Sequence, residues 1–169
     1  AGCDLQDQRD QVRFRFVTLA ELAVGVGAGG VEIAQAHRLQ PVCGIEILQL
    51  SGGEPTLHPQ FHELLAWCHA QPEIDYVLLN TNGVRIATDD AFLDALGKTF
   101  RYGKFQLYLQ FDGPQEAGQR SLRGADLRAL RRKCIERCGA LNIPITLAMT
   151  VTPENLAHAW ESVEFGLGF

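Results

Sequence analysis

Two adjacent glycines and a glutamate stand where an apolar strand pattern gives way to a helical one. The segment Ser51-Gly52-Gly53-Glu54-Pro55-Thr56 follows the strand pattern of residues 45–50. Because glycine lacks a Cβ, paired glycines permit unusual dihedrals and let a ligand approach the backbone. Open α/β sheets and barrels bind ligands at the carboxyl ends of their strands. We therefore expect a ligand-binding corner here; the simpler alternative is a tight turn that merely requires glycine.

Polar residues alternate with apolar ones along the strand predicted at 105–111. Apolar side chains take the odd positions and polar ones the even positions, which brings Gln110 and Asp112 to one face. In a parallel sheet whose outer face is covered by helices, a polar face must line an interior cavity. Similar polar positions occur near the other strands, at Gln49, Ser51, Asn80, Asn82, Thr146 and Thr150. We expect these groups to converge on one site, although edge or solvent-facing strands would alternate in the same way.

Other motifs carry less weight. Gly25, Gly27 and Gly30 have the spacing of a dinucleotide-binding fingerprint, but a predicted helix start precedes them where a strand is required. An NAD-dependent barrel oxidoreductase is therefore the weakest alternative. Cys134 and Cys138 lie one helical turn apart without a further pair or histidine motif to complete a metal site, so packing is their expected role. The motifs of serine hydrolases and P-loop proteins are absent from the sequence.

The composition limits the class of protein and its partners. The chain has 169 residues, 46% of them hydrophobic, and a net charge of -5. No basic run is interleaved with aromatic residues, which argues against nucleic acid as a partner. The longest weakly polar stretch, residues 22–31, is shorter than the roughly 20 residues that span a bilayer. Five cysteines without a signal-peptide pattern favour a reducing compartment, and we expect a cytoplasmic protein.

The elements that must position these residues alternate regularly from residue 45 onward. Strands are predicted near 45–50, 76–80, 105–111 and 145–151, and helices near 59–70, 90–100, 124–140 and 154–165. This order implies an α/β fold with parallel strands joined by helical crossovers. Residues 1–44 are predicted to form a helical or irregular segment, with a helix starting at the capping box Thr18-Leu19-Ala20-Glu21. Residues 45–169 are predicted to form the core domain.

Three motifs, in the right order, resemble those of the radical S-adenosylmethionine superfamily. Residues 50–59 resemble its Gly-Gly-Glu-Pro motif after the second strand, and Asn80-Thr81-Asn82-Gly83 resembles the end of its third strand. Residues 109–113 and 120–124 resemble the fourth strand and its loop. The resemblance covers residue 45 to the end and implies a partial (β/α) barrel, with residues 1–44 a remnant of the region after the first strand. The Gln-Phe-Asp-Gly version at 110–113 is similar to a branch that includes tetraether-lipid synthases.

The resemblance implies a site for S-adenosylmethionine at the carboxyl ends of the strands. Carbonyls around Gly52 and Gly53 and the carboxylate of Glu54 would accept hydrogen bonds from its ammonium group. Arg123 would bind its carboxylate, since a guanidinium can do so bidentately. The residues expected to bind the cofactor are Ser51, Gly52, Gly53, Glu54, Pro55, Asn82, Gln110, Asp112, Arg123 and Thr150.

The resemblance also implies a 4Fe-4S cluster. In the family this cluster cleaves S-adenosylmethionine reductively, with electrons from a donor such as flavodoxin or ferredoxin. The resulting 5′-deoxyadenosyl radical abstracts hydrogen from a substrate, whose identity the sequence does not reveal. The three thiolates come from a Cys-x-x-x-Cys-x-x-Cys loop, a spacing that the five cysteines here lack. We expect the cluster ligands outside this chain, which alone should be inactive; the alternative is a domain that has lost its cluster and binds only a nucleoside or a partner.

Overall fold

Five parallel strands form a sheet in the computed structural model, which describes residues 14–18 and 46–169. The strands are β1 (Phe14–Thr18), β2 (Ile47–Ser51), β3 (Tyr76–Thr81), β4 (Phe105–Gln110) and β5 (Ile145–Ala148). They lie side by side in chain order, and each pairs in parallel with the next. Parallel neighbours require crossover connections, which are usually helical. The predicted α/β fold of the partial (β/α) barrel type is confirmed.

Helices follow the strands within the described residues. The α-helices are α1 (Phe61–Ala70), α2 (Val84–Thr88), α3 (Asp90–Thr99), α4 (Glu116–Arg123), α5 (Arg128–Ala140) and α6 (Ala159–Leu167), and short 3-10 helices cover Pro55–Leu57 and Leu156–His158. The sequence predicts α1, α3, α5 and α6 but neither α2 nor α4. Because α2 has five residues and α4 has one strongly apolar side chain, both lack the apolar period that identifies a helix. No helix in the described part of the chain is long and apolar enough to cross a membrane.

The sheet buries one face against its helices. Along β4 the side chains of Phe105, Leu107 and Leu109 are fully buried, whereas Tyr108 keeps 40% of its surface exposed. The alternation predicted for this strand is therefore confirmed. Buried residues of α1, α3 and α5 complete the core on the apolar face. The opposite, inner face of the sheet carries the polar side chains.

The largest differences from the predicted strands are at β1 and β5. Residues 14–18 form β1, although they were predicted to be helical or irregular; their aromatic and β-branched side chains favour a strand. The helix predicted after Thr18 lies outside the described residues. In addition, β5 ends at Ala148 rather than near 151. The side chain of Asn155 bonds the backbone beyond this point, since its Oδ1 accepts from Thr152 N at 2.7 Å and its Nδ2 donates to Thr150 O at 2.8 Å.

Candidate functional site

The glycine corner directly follows β2. Gly52 has φ 96° and Gly53 has φ 51°, in the left-handed region that costs other residues about 1 to 2 kcal/mol. A Cβ built on Gly53 would meet no atom within 4 Å, so the space beside this backbone is open. Pro55 is buried at the start of the following 3-10 helix. The corner therefore presents exposed peptide groups at the carboxyl end of a strand, as a small ligand requires.

The carboxylate of Glu54 ties the end of β2 to the end of β3. Its Oε1 accepts hydrogen bonds from Thr56 N at 3.2 Å, from Thr56 Oγ1 at 2.7 Å and from Thr81 Oγ1 at 2.8 Å. Its Oε2 accepts from Asn82 N at 2.7 Å. A carboxylate offers about four acceptor sites, so these donors use most of its capacity. An incoming ammonium group would therefore depend mainly on the backbone carbonyls of the glycine corner.

The segment after β3 forms a close-packed turn. Asn82 Oδ1 accepts from Val84 N, the first backbone N–H of α2, at 2.9 Å. Gly83 has φ 73°, and a Cβ built there would lie 2.6 Å from Leu109 Cδ1 and 2.9 Å from Cys134 Sγ. Glycine is thus required at this position, because φ is positive and because there is no room for a Cβ. The turn packs the end of β3 against β4 and α5.

Ser51 is linked to the polar residues of the inner face. Gln49 Nε2 donates to Asn80 Oδ1 at 2.6 Å, and Asn80 Nδ2 donates to Ser51 Oγ at 3.3 Å. Gln110 lies on the inner face of β4, where it is half-buried and pairs in register with Ala148. Its side chain makes no hydrogen bond within the described residues. The Gln110 amide is therefore available to a ligand.

Asp112 joins the ends of β4, β5 and α4. It is 1% exposed and has φ 57°. Its Oδ2 accepts from Arg123 Nε at 2.6 Å, and its Oδ1 accepts from Thr150 N at 3.1 Å. Burial raises the pKa of this carboxyl, but the hydrogen bonds from Arg123 and Thr150 outweigh it and hold the pKa below its usual value. Asp112 is therefore an ionised, positioned carboxylate.

Arg123 retains donors for a second partner. Its side chain is 29% exposed, and its bond to Asp112 uses Nε. Neither Nη1 nor Nη2 donates a hydrogen bond within the described residues. A guanidinium carries five N–H donors, so those on the two Nη atoms can bind a carboxylate.

The predicted site residues fall into two groups at the carboxyl ends of the strands. The first group, at the ends of β2 and β3, contains Ser51, Gly52, Gly53, Glu54, Pro55 and Asn82. The second, at the ends of β4 and β5, contains Gln110, Asp112, Arg123 and Thr150. Thr150 lies beyond the end of β5, not on the inner face of the strand as predicted, and its backbone N–H bonds Asp112. Because β3 and β4 are parallel neighbours, the two groups lie side by side at the carboxyl-terminal end of the sheet.

Three further polar residues that were not predicted are buried. Thr81 donates to Glu54, and its Oγ1 also accepts from Gly83 N at 3.0 Å. Gln119 is fully buried and its Nε2 donates to the carbonyls of Phe111 and Gly113, which holds the loop after β4. Arg131 is 1% exposed within α5. Gln119 and Arg131 lie in polar helical segments that sequence patterns assign to the surface, whereas Thr81 lies inside a motif already identified.

The cysteines of the described residues do not fit a 4Fe-4S cluster. Cys68, Cys134 and Cys138 are all buried, the first on α1 and the others on α5. Burial raises the pKa of the Cys68 thiol to about 12. In residues 14–18 and 46–169 no group of three or more His, Cys, Asp or Glu side chains could hold a metal ion. Packing, the role expected for Cys134 and Cys138, agrees with their burial.

Comparison with known proteins identifies the family. A sequence profile of the Radical SAM superfamily matches residues 31–166. The chain belongs to the radical SAM superfamily. The cofactors of this superfamily are S-adenosylmethionine and a 4Fe-4S cluster.

Curated relatives of this radical SAM chain are much longer. It is 33% identical over 91 residues to 7,8-dihydro-6-hydroxymethylpterin dimethyltransferase of Methanocaldococcus jannaschii, covering 54% of this chain and 17% of that protein. It is 32% identical over 115 residues to GTP 3',8-cyclase of Synechococcus elongatus, covering 68% of this chain and 33% of that protein. The chain thus spans a third or less of the length of these relatives. The resemblance to tetraether-lipid synthases is not tested by these matches and stays a prediction.

A solved structure shares the fold. The structure of anSMEcpe with bound AdoMet superposes with a TM-score of 0.58 and 22% sequence identity. The match covers 77% of this chain and 36% of that one. It supports the partial (β/α) barrel.

Proposed function

We propose that this radical SAM chain binds S-adenosylmethionine at the carboxyl ends of β2 to β5. The observation that carries the proposal is the open, left-handed corner at Gly52 and Gly53, which shares an edge of the sheet with the uncommitted Nη atoms of Arg123. The amino-acid part of the cofactor ends in an ammonium and a carboxylate. Carbonyl oxygens suit the first group, and a guanidinium suits the second.

The remaining site residues divide into ligands and supports. Gln110 has a free amide on the inner face and is proposed to bond the ribose or adenine. Asn82 flanks the same region, and its Oδ1 accepts from Val84 N at the start of α2. Glu54 and Asp112 act mainly as positioning residues, because their oxygens are bonded to the protein itself. Ser51, Pro55 and Thr150 shape the corner and the loop after β5.

For the whole protein we propose a radical SAM enzyme. Its 4Fe-4S cluster would be held by residues outside this chain and reduced by a donor such as flavodoxin or ferredoxin in the cytoplasm. When bound, the two cofactors supply radical chemistry that abstracts hydrogen from a substrate. The residues of this chain hold and orient the amino-acid part of S-adenosylmethionine. By name the matched relatives act on different molecules, so the substrate of this protein is not assigned.

The activity is tested on the full protein, reconstituted anaerobically with iron and sulfide. We expect a broad charge-transfer absorbance and reductant-dependent release of 5′-deoxyadenosine, followed by chromatography. Binding of S-adenosylmethionine without cleavage or an iron-sulfur absorbance would instead support a domain that has lost its cluster and binds only a nucleoside or a partner. Absence of both binding and cleavage would reject the proposed function.

The glycine corner is tested with Gly53→Ala against Gly103→Ala. Both glycines have positive φ, at 51° and 78°, and neither Cβ would meet an atom within 4 Å. The two variants therefore carry a similar dihedral cost, but only the first places a methyl group at the proposed site. We expect calorimetry to show weaker S-adenosylmethionine binding in Gly53→Ala alone. Equal affinity in both variants would exclude the corner from the binding site.

A further inference from the structure

The chain turns after β4 through two successive residues with left-handed backbone. Asp112 has φ 57° and Gly113 has φ 93°. Glycine adopts such a conformation freely, whereas a residue with a Cβ does so at a cost in free energy. A residue of this kind persists in a fold where the surrounding structure holds it. Asp112 therefore needs contacts that hold its backbone as well as contacts to its carboxylate.

Gln119 holds the backbone on both sides of Asp112. Its Nε2 donates to the carbonyl oxygen of Phe111 and, at 2.9 Å, to that of Gly113. A side-chain amide has two N–H donors, so both are used. On the other side of the turn, the backbone N–H groups of Phe111 and Asp112 donate to Ala148 O at 2.7 and 3.2 Å. The turn is thus fixed between β5 and one fully buried side chain.

The amide of Gln119 makes its hydrogen bonds to this turn alone. Its Oε1 is buried and has no hydrogen-bond donor within the described residues. With the amide reversed, this oxygen would face two backbone carbonyl oxygens, and both hydrogen bonds would be lost. The described contacts of the Gln119 amide are therefore directed at the backbone around Asp112.

Gln119 and Arg123 lie one helical turn apart on α4, and both bind the segment around Asp112. Residues four positions apart share one face of a helix. Arg123 Nε donates to Asp112 Oδ2 at 2.6 Å, and Thr150 N donates to Asp112 Oδ1 at 3.1 Å. A Cβ built on Gly118 would lie 3.5 Å from Asp112 O, so α4 also packs closely against the turn. With its backbone held in this way, the Asp112 carboxylate connects α4 to the segment after β5.

We propose that Gln119 is a positioning residue of the cofactor site. By fixing the backbone around Asp112, it directs that carboxylate to Arg123 Nε, so that the Nη atoms of Arg123 bind the carboxylate of an amino-acid ligand. The identity of that ligand rests on the proposed function. Gln119 is fully buried, acts through Asp112 and Arg123, and does not contact the ligand.

The test uses the full protein and S-adenosylhomocysteine, which has the same amino-acid part but no sulfonium to cleave. Gln119→Met has a similar length without hydrogen-bond donors. Gln119→Glu keeps the shape, and its carboxyl donates only when it is protonated. Gln71→Met and Gln71→Glu are the matched controls, because Gln71 Nε2 also donates to a backbone carbonyl, that of Trp67 at 3.1 Å, but at the end of α1. Affinity is measured by calorimetry from mildly acidic to mildly alkaline pH.

At mildly alkaline pH we expect Gln119→Met and Gln119→Glu to bind at least about tenfold more weakly than wild type, the scale of a lost buried hydrogen bond. The Gln71 variants should stay within about twofold of wild type, since distant sites rarely couple. The affinity of Gln119→Glu should recover as the pH falls. Burial raises the pKa of the introduced carboxyl, and its protonated form again donates one hydrogen bond.

Gln119→Met and Gln71→Glu, each measured relative to wild type, should show no such recovery. A merely structural glutamine would lower the stability of the variants without changing the affinity of the folded protein. Two results would overturn the inference: Gln119 variants that bind as tightly as wild type, or a Gln119→Glu protein whose affinity relative to wild type does not change with pH. If Gln119→Met does not fold, the pH profile of Gln119→Glu decides.

A readout without ligand distinguishes this inference from the proposed function. Failure of the wild type to bind the probe would count against the function, but urea unfolding still tests the positioning. Arg123→Met should cost less stability in a Gln119→Met background than in wild type, because Asp112 is no longer directed to the guanidinium. In a Gln71→Met background the cost should be unchanged. Equal costs in all three backgrounds would contradict a role through Asp112.

Discussion

Asp112 is almost completely buried, yet it remains ionised through two partners. Its pKa lies below that of an unfolded aspartate, about 3.9. Its stabilising contribution is therefore complete above that value and is lost as the pH falls through the folded-state pKa. We predict that Asp112→Asn lowers the free energy of unfolding at pH 7 by about 1.5 to 3 kcal/mol, the range for hydrogen bonds to charged groups.

The measurement is urea unfolding at pH 7 and at several acidic pH values. Asp112→Asn should lose less stability than wild type on acidification, because it lacks this carboxyl. Asp94→Asn, at an exposed position of α3, is the control and should follow wild type. A variant with wild-type stability at pH 7 would show that the Asp112 bonds do not stabilise the fold.

Gly83 provides a second test at a single position. A methyl group there would overlap Leu109 and Cys134, and φ is 73°. Gly103→Ala, with φ 78° and open space around its Cβ, carries the dihedral cost alone. We predict that Gly83→Ala is less stable than Gly103→Ala by about 1 to 3 kcal/mol, the usual cost of overpacking. Thermal and urea unfolding measure the difference, and equal stabilities would mean that the neighbours relax freely.

Sequence patterns identify many of these residues but not how each is used. The motif containing Glu54 is visible in the sequence, whereas the four donors on its carboxylate depend on the spacing between β2 and β3. Arg131 belongs to the run Leu130-Arg131-Arg132-Lys133, whose charges indicate an exposed helical face. It is nevertheless buried near the start of α5, with 1% of its surface exposed.

At the scale of elements, Thr81 links β2, β3 and the turn into α2. Its hydroxyl donates to Glu54 and accepts from Gly83 N. We predict that Thr81→Val destabilises the protein by about 1 to 3 kcal/mol, because it leaves a buried N–H without its acceptor. It should also weaken S-adenosylmethionine binding, since Glu54, which follows the glycine corner, loses its hydrogen bond from Thr81.

Thr99→Val is the matched control for that prediction. Thr99 also loses one hydroxyl hydrogen bond, to Ala95 O at 2.8 Å, but it lies at the end of α3 and remains partly exposed. Urea unfolding and calorimetry should separate the two variants. If both variants lost the same stability and bound S-adenosylmethionine as tightly as wild type, Thr81 would have no special role in connecting the strands.

The sequence predicts the strands β2 to β5 and the longer helices α1, α3, α5 and α6. β5 is shorter than predicted because the side chain of Asn155 bonds the backbone beyond Ala148, which alternation alone cannot reveal. α4 contributes Gln119 and Arg123 through polar contacts, and polar contacts leave no period to detect.

At the scale of the whole molecule, burial is concentrated in the middle of the sheet. β3 and β4 contain fully buried residues, all four residues of β5 are only half-buried, and α6 has no buried residue. We predict that in the 169-residue chain backbone amides of β3 and β4 exchange with deuterium most slowly and those of α6 most rapidly among these elements. Hydrogen exchange measured by mass spectrometry checks the order. Equal protection of α6 and β4 would contradict it.

The fold class follows from alternating strands and helices, and the motifs locate one edge of the sheet. The identity of the substrate does not follow, because the chain covers 17% and 33% of the relatives described above. Contacts that select a substrate need not lie within this portion of the barrel.

The length of the Glu54 side chain has a consequence for protein engineering. One carboxylate reaches its own 3-10 turn at Thr56 and, on the adjacent strand, Thr81 and the amide of Asn82. An aspartate side chain is one methylene shorter and could not bond both the turn at Thr56 and the groups of the adjacent strand. The motif therefore depends on side-chain length as well as on negative charge. A redesign that replaces this glutamate with a shorter acidic residue would weaken the connection between β2 and β3 even without a bound cofactor.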